Sequence, residues 1–510
     1  MALLTKNINR NVLPNWRDYR TTAELGEIGG YKVTNTEIPL FSINDYIDAW
    51  KENKTIPYAG DLISAGIMNG QKNNSEVINA AKFIIENEDS APKSLLNVAH
   101  SFFSKEIEEP INDNITNTSK LRSILNQEDL IKEKVRFLRK LVHRFPENPI
   151  WYSELALSYA TLGLMSKAEK MMCIALHLAP TARYITRSAS RLFLHIKDID
   201  KAHHILVNNP AIIRDPWILA SEIAVNASRG RSSRYIKNGI AMINSGNYSS
   251  FSLSELCSAI GTQELYHSKK KCELYFNKSL LQPNDNSLSQ AEWLLSMDST
   301  MKFKFTDYST MQKKFEADSR HAFLCENYHD ALTTSINWIE SMPFARLPIY
   351  FAAEMAYTYV KDYKSAIEIL KIGLNANPDE LNFINNLAYV YAMNGETEKA
   401  DNILEDKRLS PNKIAPDLNI CLIATRGLNE YKKGNIEEGR NNYRKAIELA
   451  HNIADNHLAN KALLNFIREE LIATKIKNNN LIDLLEKLDT GDSRETKAMK
   501  NDIMQLINRI

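Results

Sequence analysis

The sequence predicts an all-α chain, a long stack of helix pairs preceded by an extended arm. Three observations carry that reading. The 510 residues include only 17 Gly and 16 Pro, roughly half of the ~12% that average usage gives. Hydrophobic residues make up 44% of the chain, enough for a large core and too many for wholesale disorder. Finally, several of the scarce breakers recur at a fixed spacing, which favours one long solenoid over the three or four globular domains that length alone suggests.

Charge and cysteines narrow the classes further. Lys+Arg 63 against Asp+Glu 62 leaves a net charge of +1, against the basic excess that non-specific nucleic-acid binding draws on. Cys173, Cys257, Cys272, Cys325 and Cys421 are odd in number and lack CxxC spacing, which fits small buried thiols in a reducing compartment. The first 16 residues lack a signal-peptide core, and no 18-residue apolar run occurs. A cytoplasmic protein with no membrane partner is expected. Frequent Asn, Ile and Lys match the coding bias of an AT-rich bacterial genome.

Taken in order, residues 1–56 read as the arm. Gly26, Gly29 and Gly30 cluster there, Tyr31–Ile38 alternates like a short strand, and Lys6, Arg10, Arg17 and Arg20 flank Trp16 and Tyr19. Such an arm either docks on a partner or lies along the first helices. Residues 57–145 hold degenerate helical repeats around Ala59–Met68, Ser75–Glu86 and Pro92–Ser104, with a polar loop at Glu108–Thr118. Residues 146–345 carry clearer pairs that turn irregular in the middle, where the match is partial over 181–343, and residues 346–451 carry regular ones. Residues 452–510 close the stack: after Asp492-x-x-Glu495, a capping-box-like start, Met499, Ile503, Leu506 and Ile507 share one face of a terminal cap.

The clearest pairs repeat one pattern. Tyr152-x-x-Leu155-Ala156-x-x-Tyr159-x-x-x-Gly163 is followed by Ala168-x-x-x-Met172-x-x-Ala175 and Pro180. Ile384-x-x-Leu387-Ala388-x-x-Tyr391-x-x-x-Gly395 is followed by Ala400-x-x-x-Leu404 and Pro411, and Ala400 lies 34 residues after Ala366. Another copy passes through Gly427, Gly434, Gly439, Tyr443 and Ala446. Small residues let paired helices approach, larger ones fill the space between, glycines end first helices, and prolines stop second ones.

On these residues the chain resembles the tetratricopeptide repeat (TPR) superfamily, most clearly over 146–180 and 347–451. The resemblance implies a right-handed superhelical solenoid of antiparallel helix pairs whose first helices line a concave groove. It places Arg187, Arg191 and His195 in that groove, with Arg183 one turn earlier on the same face. A row of arginines suits carboxylates, phosphates or an acidic peptide, and equally a helix face paired within the protein. Phe351, Met355 and Tyr359 fall on the groove in one unit, and Asn382, Asn385 and Tyr389 in the next.

No P-loop, dinucleotide-binding glycine pattern, HExxH or GxSxG occurs, so no catalytic residue, cofactor or metal is expected. The sequence points to a non-catalytic scaffold or adaptor that binds a protein partner, an effector enzyme or an acidic peptide, through the concave face and the arm. A bacterial multi-protein system, for defence or stress, would be one setting. The alternatives are a sensor of a small ligand or signalling peptide, and an RNA- or DNA-binding helical array.

Overall fold

The computed structural model describes residues 1, 10–16, 27–28, 31–32, 43–68, 71–91, 93–103 and 127–144, and 146–510 apart from 147, 266, 309–310, 312–313, 412–413 and 492. The expected loop Glu108–Thr118 and the arm's Lys6, Arg17, Tyr19 and Arg20 lie outside the described residues.

Helices fill most of what is described. The lead-in comprises α1 (Ile43–Glu52), α2 (Ile56–Met68), α3 (Ser75–Glu86), α4 (Lys93–Ser101) and α5 (Gln127–Arg144). Paired helices follow: α6 (Pro149–Thr161) with α7 (Met165–Leu178), α8 (Arg183–His195) with α9 (Ile199–Val207), α10 (Pro216–Ser228) with α11 (Ile236–Asn244), and α12 (Ser250–Glu264) with α13 (Lys269–Ser279). After α14 (Asp285–Met297) come α15 (Phe315–Leu324) with α16 (Tyr328–Ser341), α17 (Arg346–Glu354) with α18 (Tyr363–Ala376), α19 (Leu381–Met393) with α20 (Thr397–Leu404), and α21 (Pro416–Lys433) with α22 (Ile436–Asn452). Helices α23 (Asn456–Thr474), α24 (Asn479–Lys487) and α25 (Arg494–Arg509) end the chain. The only described strand pairing is a small antiparallel ladder, Glu27–Ile28 against Tyr31–Lys32.

The turn inside each pair explains the regularity. Gly163, Gly230, Gly395 and Gly434 have φ between +69° and +89°, the left-handed conformation that closes a Schellman turn. In each case the next amide reaches back five residues: Leu164 N–H to the Tyr159 carbonyl, Arg231 to Asn226, Glu396 to Tyr391, Asn435 to Glu430. The same turn recurs where no glycine marks it, at Lys197 and Glu326, with Asp198 bonded to Phe193 and Asn327 to Ala322. Lys361 is also left-handed, but Asp362 bonds to Ala356 because a π-turn at Met355–Val360 adds a residue. Units that look irregular in sequence therefore share the turn geometry of the regular ones.

Starts and stops follow ordinary helix chemistry. Asn148 and Asp215 cap α6 and α10 ahead of Pro149 and Pro216. Pro180 and Pro378 each lie just beyond the end of a second helix. Between paired helices, Ala156, Ala168 and Ala175 are fully buried with Met172, and Leu155 and Tyr159 nearly so; burying one such leucine is worth about 1.5–3 kcal/mol. At the C-terminal end Met499, Ile503 and Ile507 of α25 pack on Leu464, Ile467 and Leu471 of α23. Among the described residues Ser493 is the N-cap, its side chain accepting from Thr496 N–H. Glu495 is drawn inward to a buried ion pair with Lys461, 2.5 Å apart.

The solenoid curls far enough for distant units to touch. A Cβ built on Gly163 would sit 2.5 Å from the Asn375 carbonyl oxygen, so the α6–α7 turn lies directly on α18. Arg346, at the start of α17, donates to the His195 carbonyl at the end of α8 (3.2 Å). Phe344 packs edge-on against the His195 ring, centroids 4.9 Å apart. These contacts join one side of an inner channel. Residues 10–16 lie against its wall.

Candidate functional site

Of the described arm residues, 10–16 contact α6, α8, α14 and α15 and Met1 contacts α19 and α21, while Ile43–Glu52 form α1 and pack on α2. Trp16 is fully buried between α6, α8 and the segment before α17: its indole N–H donates to Ser153 Oγ (3.3 Å), and its ring meets Phe344 edge-on at 5.2 Å. Arg10 lies against α14 and α15. Met1 lies between α19 and α21, fully buried, with its carbonyl accepting from Asn385 (2.9 Å) and its amine donating to the Cys421 carbonyl (3.2 Å) and Thr425 Oγ1. Burial holds that amine well below its ordinary pKa.

Arg10 has the most complete setting. Its guanidinium makes two bonds to Glu316, from Nε (2.9 Å) and Nη2 (2.8 Å), and further bonds to Gln290 Oε1 (2.6 Å) and Asn286 Oδ1 (3.1 Å). Burial alone would raise the Glu316 carboxyl, but Arg10 and Arg320 outweigh it and hold the group at about 2. Side-chain amides also grip the arm's main chain. Gln290 Nε2 donates to the Arg10 carbonyl (2.8 Å), Asn286 Nδ2 to that of Leu13 (2.8 Å), and Ser188 Oγ to that of Trp16 (3.3 Å). A cavity of about 280 Å³ opens beside Arg10 and Asn11, between Arg231, His267 and Trp293.

The arginine row on α8 splits into two kinds of residue. Arg183 bridges Asp61 (3.1 Å) and Asp215 (2.7 Å). Arg187 is only 1% exposed; it holds both oxygens of Glu255 (3.1 and 2.9 Å) and lies over the Trp217 ring. It is committed inside the protein and does not offer its charge to the groove surface. Glu255 in turn accepts from Asn286 (3.2 Å) and Asn284 (2.8 Å), so Arg187 helps orient the amide that grips Leu13.

Arg191 differs. Its Nε is buried without a hydrogen-bond partner, and no carboxylate pairs with it among the described residues. Burial lowers it to about 10; nearby Glu316 raises it, while Arg10 and Arg346 add to the fall. Burial, then Arg346 and Arg191, push His195 down to about 3, so its ring is neutral.

The other groove expectations divide as well. Met355 is fully buried core, and Phe351 meets Phe323 and Trp338 edge-on inside the stack. Tyr359 stacks on Tyr328 with centroids 4.3 Å apart. These three fill space between neighbouring units. In the next unit Asn385 touches the arm directly, while Tyr389 packs edge-on with Tyr357 and Asn382 bonds to Tyr350. The residues missing from the sequence reading are Asn286, Gln290 and Glu316, which lie where the repeat match is poorest. Two basic turns lie at residues 229–234 and 269–271; in them Arg229 pairs with Asp200, Lys269 with Asp298, and Arg234 donates to the neighbouring Tyr235 hydroxyl.

No group of three or more His, Cys, Asp or Glu side chains among the described residues could hold a metal. No described helix is long and apolar enough to cross a membrane.

No protein-family model matches the chain, and no curated protein matches it. Solved structures do. Yeast Tom70 is 14% identical, over 78% of this chain and 94% of its own, with a TM-score of 0.29. The P58(IPK) TPR domain is 13% identical, over 71% and 98%, at 0.19. Naa15/Naa10 bound to HypK-THB is 11% identical, over 92% and 80%, at 0.23. At such scores the likeness decides neither the path of this superhelix nor its ligand. The helix pairs and the recurring left-handed turns are themselves the architecture that the TPR resemblance implies.

Proposed function

We propose that this chain is a non-catalytic scaffold that binds a protein partner through its concave channel and its arm. A regulatory or recruiting role in a bacterial multi-protein system, in the cytoplasm, completes the reading. One observation carries it: the channel already holds an extended polypeptide, its own residues 10–16, by amide and hydroxyl donors aimed at main-chain carbonyls. Donors of that kind suit any extended chain, since every residue offers a carbonyl. Nucleic acid is the weaker occupant. On the basic turns Arg229 and Lys269 are engaged with neighbouring acids, and the net charge is +1.

The test is affinity purification of wild type beside Asn286→Ala/Gln290→Ala, followed by mass spectrometry with and without nuclease. A protein captured by wild type, lost in the variant and indifferent to nuclease supports the scaffold. Equal capture by both, or bound material removed by nuclease, would overturn it.

A further inference from the structure

The arm fits its channel incompletely, and the misfit is informative. Main-chain carbonyls of residues 10, 13 and 16 are each met by a donor. Two side chains also have dedicated pockets: Arg10 against Glu316, Gln290 and Asn286, and Trp16 against Ser153 and Phe344. Between them Arg191 is left unmatched. The nearby acid Glu316 is taken by Arg10 and Arg320. The arm offers no acid there, because residues 11–15 are Asn, Val, Leu, Pro and Asn. A buried Nε–H without an acceptor is costly to keep. A segment bringing a carboxylate to that position would therefore fit better than the arm.

We infer that the channel is a receptor for an extended segment of a partner protein carrying arginine, an acidic residue and then tryptophan within seven residues, and that residues 10–16 hold its place until it arrives. This rests on the scaffold reading above and adds the chemistry of the partner. Competition with the arm sets the selectivity. A tethered arm acts at an effective concentration in the millimolar range, so a segment lacking the acid gains nothing over it. A carboxylate on Arg191 adds a charge-assisted contact, about tenfold to a hundredfold in affinity.

The experiment uses the full chain with Arg10→Ala and Trp16→Ala, which vacates both pockets. Fluorescein-labelled peptides of residues 8–18, as found and with Asn11→Asp or Asn15→Asp, are titrated by anisotropy. At least one acidic peptide should bind ten times or more tighter than the parent peptide. Arg191→Gln should erase that difference, and Glu316→Ala should weaken every peptide. No binding to a vacated chain whose circular dichroism matches wild type overturns the inference, as does acidic and parent affinity being equal.

Should the vacated chain fail to fold, a protease site placed between residues 33 and 42 of the otherwise wild-type chain is cut after folding. The acidic peptides should then release the arm fragment; its retention at saturating peptide overturns the inference. A doubled mass of wild type in solution, abolished by Trp16→Ala, would instead make a second copy's arm the occupant and also overturn it. Peptides that fail while Asn286→Ala/Gln290→Ala still loses a captured protein sink this inference alone. Capture indifferent to those two residues sinks the scaffold itself.

Discussion

The units at 149–178 and 381–404 share one repeat motif, and they sit in different surroundings. Leu155, Ala156, Tyr159, Gly163 and Ala168 correspond to Leu387, Ala388, Tyr391, Gly395 and Ala400. Both glycines are left-handed, with φ of +69° and +80°. Yet Gly163 is pressed against the Asn375 carbonyl of a distant unit, while nothing lies within 4 Å of a Cβ built on Gly395. The repeat motif encodes a helix pair and its turn. It does not encode whether that turn closes a channel; residues outside the motif, Phe344, Arg346 and Asn375, do that.

The largest test of this contrast lies beside the closed side. Arg187→Ala strands a buried Glu255 and should cost about 3–5 kcal/mol. Lys433→Ala, on the open side, removes a partly exposed pair with Asp401 and should cost about 0–1 kcal/mol. Because solenoids open piecewise, hydrogen exchange followed by mass spectrometry is the right readout, with protection of residues 183–195 falling only in the first variant. Equal losses would erase the contrast.

Next in size are the glycines. Gly163→Ala carries about 1–2 kcal/mol for the left-handed backbone and a further ~1–3 kcal/mol for overpacking against Asn375. Gly395→Ala carries only the first cost. Chemical denaturation of the two variants should therefore separate them, and matching midpoints would mean that the closing contact contributes nothing.

A pH effect follows. His195 is held at about 3 in the folded chain, below its ordinary ~6.5. Between those values the unfolded chain binds a proton that the folded one refuses. Stability is complete above pH 6.5 and falls as pH drops towards 3, by about 1.4 kcal/mol per pH unit. At pH 5 the closed side should be about 2 kcal/mol weaker than at pH 7. Local exchange rates for residues 183–195 in His195→Asn should lose that dependence; an unchanged slope would assign it to other groups.

The smallest expected effect concerns Arg191. Replacing an unpaired guanidinium by Gln should leave stability within about 0.5 kcal/mol or raise it. A fall of 2 kcal/mol or more in thermal unfolding would show that Arg191 has a partner in the resting protein.

Much of the fold was legible because periodic burial and breakers leave a local trace. The helix at Ser75–Glu86, the glycine turns and the cap on α25 could be read from neighbouring residues. Left-handed Lys197, Glu326 and Lys361 could not, since lysine and glutamate carry no turn signal of their own. The arginine row was visible as a helix face, but its acids were not: Glu255 lies 68 residues after Arg187, and Glu316 306 residues after Arg10. Long-range pairing has no period to detect. In the arm, Arg10 was only one of four basic residues flanking Trp16 and Tyr19, and nothing local to it named the acid or the amides that hold it.

The 306 residues between Arg10 and Glu316 also set a clock. At about 5–20 residues per second of synthesis, the arm leaves the ribosome roughly 15–60 s before its acidic partner exists. During that interval Arg10 and Trp16 belong to a bare nascent segment, open to chaperones or to another protein made nearby. Whichever partner the growing chain meets first then competes with a binding site that has yet to be translated.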